Sequence, residues 1–131
     1  MPITVAWDNP EHNIILMRFE GKWTWEELLD VEEVIIRHLD QTTRPLDFIV
    51  GMTTSGPPSM GVPAQFRQVG REITHPMLHK TVVVGASSLI EIYLRIFTSL
   101  QGEAGQKITV ASTVEEAHAL LGKPSKTDKL L

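Results

Sequence analysis

Apolar residues recur along this chain with two periods that take turns, and that alternation limits the fold more than any single motif does. Ile3-Val5-Trp7 alternates with Thr4-Ala6-Asp8, the period-2 signature of a strand with one wet face. Asp8-Asn9-Pro10 marks a turn, and a second strand follows from about Asn13 to Glu20, ended by Gly21. So short a connection makes the pair an antiparallel hairpin. Thr24-Trp25-Glu26-Glu27 has the form of a capping box and opens a first helix that runs to about Asp40. Leu46 to Met52 reads as the third strand, and Thr53 to Gly61, which contains Gly56-Pro57-Pro58, as a loop. Pro63 then suits the first turn of a second helix carrying Val62, Phe66, Val69 and Ile73, stopped by Pro76.

Val82-Val83-Val84 is a central strand by β-branching and unbroken apolar character. Ser88-Leu89-Ile90-Glu91 has the capping-box form and opens a third helix to about Gln101. Ile108-Thr109-Val110 is a short last strand, and Ser112-Thr113-Val114-Glu115 opens a final helix ending at Gly122. The resulting order, β-β-α-β-α-β-α-β-α, predicts an α/β layer fold with right-handed crossovers and about four helices. The outer strands alternate while the middle ones are continuously apolar. A five-stranded, mostly parallel sheet with strands in sequential order and an N-terminal antiparallel hairpin is therefore expected. At 131 residues there is room for one domain, placed at 1–122, followed by a basic tail at 123–131 that is expected to fray.

Composition removes several function classes. The chain has no cysteine, which excludes a disulfide scaffold, a thiolate metal site and a cysteine nucleophile. Its formal charge of −4, with basic residues dispersed, argues against nucleic acid as a partner. No stretch approaches the ~20 apolar residues of a membrane-spanning helix. Met1-Pro2-Ile3-Thr4-Val5 lacks the basic-then-apolar pattern of a signal peptide, so a cytoplasmic protein is expected.

Three stretches carry a family resemblance: Phe19 through Glu27, Ile49-Val50-Gly51-Met52-Thr53, and Val82-Val83-Val84-Gly85-Ala86 running straight into a helix. Together with the element order they resemble the SpoIIAA-like family, which takes in STAS domains and has kinship with lipid-carrying CRAL-TRIO domains. The resemblance implies a βα superhelix and a binding or regulatory role. STAS regulators typically carry an Asp-Ser-Ser-Gly-like sequence after the third strand, with a phosphorylated serine at a helix start. Here that stretch runs from Gly51 to Gly61 and offers hydroxyls without the motif, Gly51 standing where an aspartate is expected. Ser59, just before the second helix, is the better switch candidate and Ser55 the other; a phosphate at Ser59 would meet a positive helix end. The competing reading is a loop whose hydroxyls cap backbone groups.

No catalytic constellation is present: there is no G-x-S-x-G elbow, Walker loop or G-x-G-x-x-G. Gly85-Ala86-Ser87-Ser88 offers free N–H groups at a strand-to-helix turn, which helix capping explains more simply than anion binding. His75 and His79 have i, i+4 spacing, but Pro76 takes His75 out of helical geometry, so no metal is expected. Glu32 projects from the middle of the first helix's apolar arc of Trp25, Leu28, Leu29, Ile35, Ile36 and Leu39. Buried there it would need a partner or a raised pKa and could orient a ligand. If the helix rolls toward Val31 and Val34, Glu32 reaches water instead.

The apolar arcs span about 220° on the first helix and about 200° on the third, against the roughly 100° a surface helix needs. Leu89, Ile92, Tyr93, Ile96 and Phe97, with Trp25, are accordingly the candidates for an apolar pocket or a homodimer interface. The expected function is a non-catalytic carrier or sensor of a small apolar ligand that needs no cofactor. The alternative is an anti-sigma-antagonist-like phospho-switch read by a protein partner.

Overall fold

The computed structural model describes residues 2–58 and 69–122. Five strands, β1 (Ile3–Trp7), β2 (Ile14–Trp23), β3 (Leu46–Pro58), β4 (Leu78–Val84) and β5 (Ile108–Ala111), form one sheet in sequential order. β1 and β2 are antiparallel and every later neighbour is parallel. The helices are α1 (Trp25–Gln41), α2 (Ser88–Gln101) and α3 (Val114–Leu121), with 3-10 turns at Arg71–Thr74 and Gly102–Lys107. None of these helices is long and apolar enough to cross a membrane.

Strand parity sorts the core into two layers. Ile15, Met17 and Phe19 of β2, Phe48, Val50 and Met52 of β3, and Val83 of β4 face one side, where they pack with Trp25, Leu28, Ile35 and Leu39 of α1 and Ile90 and Phe97 of α2. The intervening residues Ile14, Ile49, Val82 and Val84 face the other side and pack with Ala117 and Leu121 of α3. Both faces of the middle strands are thus covered, which is why those strands read as unbroken apolar runs.

Four local expectations need correction. Gly21 does not end β2: it takes a left-handed φ of +62°, the pairing register shifts between Gly21 and Trp23, and the strand continues to Trp23. Thr53 to Pro58 is strand and not loop, because pairing with that extension of β2 holds it extended; Gly21 lies opposite Ser55 and Trp23 opposite Pro58. The second helix does not reach Ile73: Val69-Gly70 is a turn and Arg71–Thr74 a single 3-10 turn, while residues 59–68 lie outside the described residues. Two caps sit one residue away from the expected place. Ser87 caps α2, accepting from Ile90 N–H, and Thr113 caps α3, accepting from Glu116 N–H. Where two hydroxyl residues stand together, spacing leaves the register open by one. The Thr24 box forms as read, with both of its reciprocal bonds to Glu27. The tail at 123–131 lies outside the described residues.

Candidate functional site

A cavity of about 110 Å³ opens between the α1/α2 layer and the sheet. Its floor is one face of the sheet: Met17, Phe19 and Trp23, then Phe48, Val50 and Met52, then Thr81 and Val83, then Ile108. Side chains of Trp25, Leu28 and Glu32 on α1 and of Ile90, Tyr93, Leu94 and Phe97 on α2 form the opposite wall. Val69, Gly70, Glu72 and Ile73 supply the remaining side. An aromatic series runs along the cavity from β2 to α2. Phe19 meets Trp23 at 4.9 Å between ring centroids, Trp23 meets Trp25 at 5.1 Å, and Trp25 meets Tyr93 at 5.6 Å, all edge to face. Trp23 is fixed in this series by donating its indole N–H to Ser55 Oγ at 2.9 Å.

Two carboxyls stand in this apolar setting. Glu32 is 1% exposed and Glu72 3% exposed, so α1 is not rolled toward Val31 and Val34, and Glu32 does not reach water. Glu32 Oε2 accepts the Gly70 N–H at 2.5 Å. Gly70 can present that N–H only as glycine: its φ is +77°, and a Cβ there would lie 2.2 Å from the Phe97 ring. Gly70 thereby joins the carboxyl on α1 to the aromatic ring on α2. Burial holds the Glu32 carboxyl well above its ordinary pKa, and the neighbouring Glu72 raises it further; the Gly70 N–H and Arg71 oppose this more weakly. Burial raises Glu72 as well, countered by its hydrogen bond with Glu32 and by Arg71. Two carboxyls in one dry site cannot both ionise cheaply, so the pair holds a proton above the usual carboxylate range.

Apart from the proton that Glu32 and Glu72 share, three buried oxygens at this site have no hydrogen-bond donor among the described residues: Glu32 Oε1, Glu72 Oε2 and Thr81 Oγ1. All three residues line the cavity. Sequence reading missed Glu72, Gly70 and Thr81. The available signal for Glu72 was position, since on a helical wheel it falls about 60° from Val69, beside the apolar face.

The other candidates separate clearly. Trp25, Tyr93 and Phe97 line the cavity, whereas Leu89, Ile92 and Ile96 point away from it and are 44%, 51% and 47% exposed. Ser55 lies in β3 with its hydroxyl engaged twice, accepting from Trp23 and donating to the Gly56 carbonyl at 2.8 Å. Ser59 lies outside the described residues. His75 and His79 turn to different carboxylates, Asp40 at 2.8 Å and Asp47 at 3.1 Å. Among the described residues no three His, Asp or Glu side chains gather in a way that could hold a metal ion.

A sequential mixed sheet with an N-terminal hairpin, two helices on one face and a third on the other is the SpoIIAA-like arrangement. A solved structure carries it: an uncharacterized protein of the DUF3478 family from Shewanella loihica PV-4, described as having a SpoIIAA-like fold. It matches with a TM-score of 0.65 and 13% identity over 91% of this chain and 93% of that one. This likeness shows the fold alone, and it lends no support to the CRAL-TRIO kinship. No family model matches the sequence, and no curated protein does.

Proposed function

We propose that this domain is a non-catalytic binding module that holds a small, mainly apolar ligand between α1, α2 and the sheet. The observation that carries this reading is the cavity of about 110 Å³, walled by aromatic and aliphatic side chains yet containing buried oxygens short of hydrogen-bond donors. Engineered apolar cavities of about 150 Å³ take up benzene; this one is smaller but open to one side, so it suits a short branched chain or a small ring lodged in part. Sites of this type combine an apolar wall with a few placed polar groups. Native mass spectrometry of freshly purified protein is expected to show a small molecule bound one to one. Toluene should raise the melting temperature by linkage, and Val83→Phe, which fills the cavity floor, should abolish that rise. Equal rises in both proteins would refute the reading.

A second reading, a protein-docking role of the STAS type, is supported by a different observation. Leu89, Ile92, Ile96 and Leu100 line the outer side of α2 at helical spacing, each 44–51% exposed. Light scattering of the unaltered protein and of an Ile92→Asp variant tests whether a second copy of this chain covers that stripe.

A further inference from the structure

We propose that the ligand of this cavity carries an amine, bound as its ammonium between Glu32, Glu72 and Thr81, with its apolar body against the aromatic series. This rests on the cavity being a ligand site and names the chemistry of the head group it takes.

The argument starts from donors and acceptors. Glu32 Oε1, Glu72 Oε2 and Thr81 Oγ1 come from α1, the Arg71–Thr74 turn and β4, and apart from the proton that Glu32 and Glu72 share all three are buried without a donor among the described residues. Ionised carboxylates only accept hydrogen bonds; a proton held by the pair and the Thr81 hydroxyl supply one donor each. An ammonium supplies three, matching the three oxygens in number. It also neutralises carboxylate charge in a place where that charge is costly alone. The wall suits a cation too: Phe19, Trp23, Trp25, Tyr93 and Phe97 line the same space, and aromatic faces attract ammonium groups. A carboxylate ligand would meet two acidic groups instead and be repelled, while a hydrocarbon would leave the carboxyl pair with only its shared proton and Thr81 Oγ1 without a partner.

Binding is an exchange of protons without covalent change. The amine enters as the ammonium, N–H donors replace the proton that the carboxyl pair holds, and that proton leaves to the solvent. The charged group that acts on the pair is Arg71, from the same turn as Glu72; Tyr93 of α2 is the other titratable residue of the cavity wall, and the sheet presents only the uncharged Thr81. Proton release on binding is therefore assigned to Glu32 and Glu72.

The test is isothermal titration of the full chain with benzylamine, benzyl alcohol and toluene, repeated in two buffers of different ionisation heat. Benzylamine should bind at least tenfold more tightly than either neutral probe, with release of up to one proton per molecule bound. Glu32→Gln and Glu72→Gln should each remove that preference while still taking toluene, which also shows that the cavity persists. Thr81→Val provides the same comparison if either glutamine variant fails to fold. Equal affinity for all three probes, unchanged by these substitutions, would overturn the amine assignment and leave the cavity reading standing. A preference for benzyl alcohol would overturn it likewise. Failure of every probe to bind the unaltered protein would overturn both.

Discussion

Replacing Glu32 by glutamine should make the protein more stable near neutral pH and flatten the dependence of its stability on pH. The side chain keeps its size, the amide oxygen still accepts from Gly70 N–H, and the amide N–H₂ donates toward Glu72. What disappears is a buried group that holds its proton only in the native state. The unfolded chain releases that proton near the ordinary value of 4.5, while burial and Glu72 keep it bound in the fold. Between those points the native state binds more protons than the unfolded state, so stability falls as pH rises. A full one-proton difference corresponds to a slope of about 1.4 kcal/mol per pH unit. Glu72, raised by burial itself, retains part of this in the variant. The variant is therefore expected to be the more stable at pH 7, by a margin that shrinks toward pH 5. Urea unfolding followed by the fluorescence of Trp23 and Trp25 at pH 5, 6 and 7 measures both slopes. Identical slopes for the two proteins would refute the shared-proton account, because the pair would then ionise as ordinary carboxylates do.

Other perturbations have equally definite outcomes. Gly70→Ala should cost about 3 kcal/mol in denaturant unfolding, since left-handed strain adds to a clash with the Phe97 ring. Gly102→Ala, at another positive φ but with open space around it, should cost only the strain. Thr24→Ala should cost about 1 kcal/mol through loss of the α1 cap, and an unchanged urea midpoint would contradict the capping geometry. Ile92→Asp should convert any dimer to monomer in sizing with light scattering while leaving toluene uptake intact, because Ile92 lies outside the cavity; loss of uptake would show that α2 responds as a unit.

The architecture was legible because strand parity and helix caps are local. Ile14 and Leu16 face one layer and Ile15 and Met17 the other, so a continuous apolar run announces a covered strand and places it inside the sheet. The end of β3 was not legible, since Gly56-Pro57-Pro58 has turn composition and only pairing with β2, contributed from elsewhere in the sequence, keeps it straight. The site was half legible. Glu32 stands out against the apolar arc of its own helix, but Glu72 meets it through tertiary packing that no local pattern encodes. The broad arc of α2 likewise gave the candidates without dividing them. A wheel cannot say that Tyr93 and Phe97 turn to the sheet while Leu89, Ile92 and Ile96 turn outward.

The length of β3 also bears on how copies of this chain meet in crowded solution. Its pairing with β4 reaches Gly51 opposite Val84, yet the strand continues to Pro58 beside β2 alone among the described strands. Among the described residues such a stretch has no strand on one side of its backbone, and an unpaired side of this kind is the usual template for edge-on aggregation. Successive residues of a strand direct their N–H groups to opposite sides. Of Pro57 and Pro58, one therefore falls on the side away from β2 and has no hydrogen to give. The two prolines that disguise the strand in the sequence also deny an incoming chain a donor at its far end.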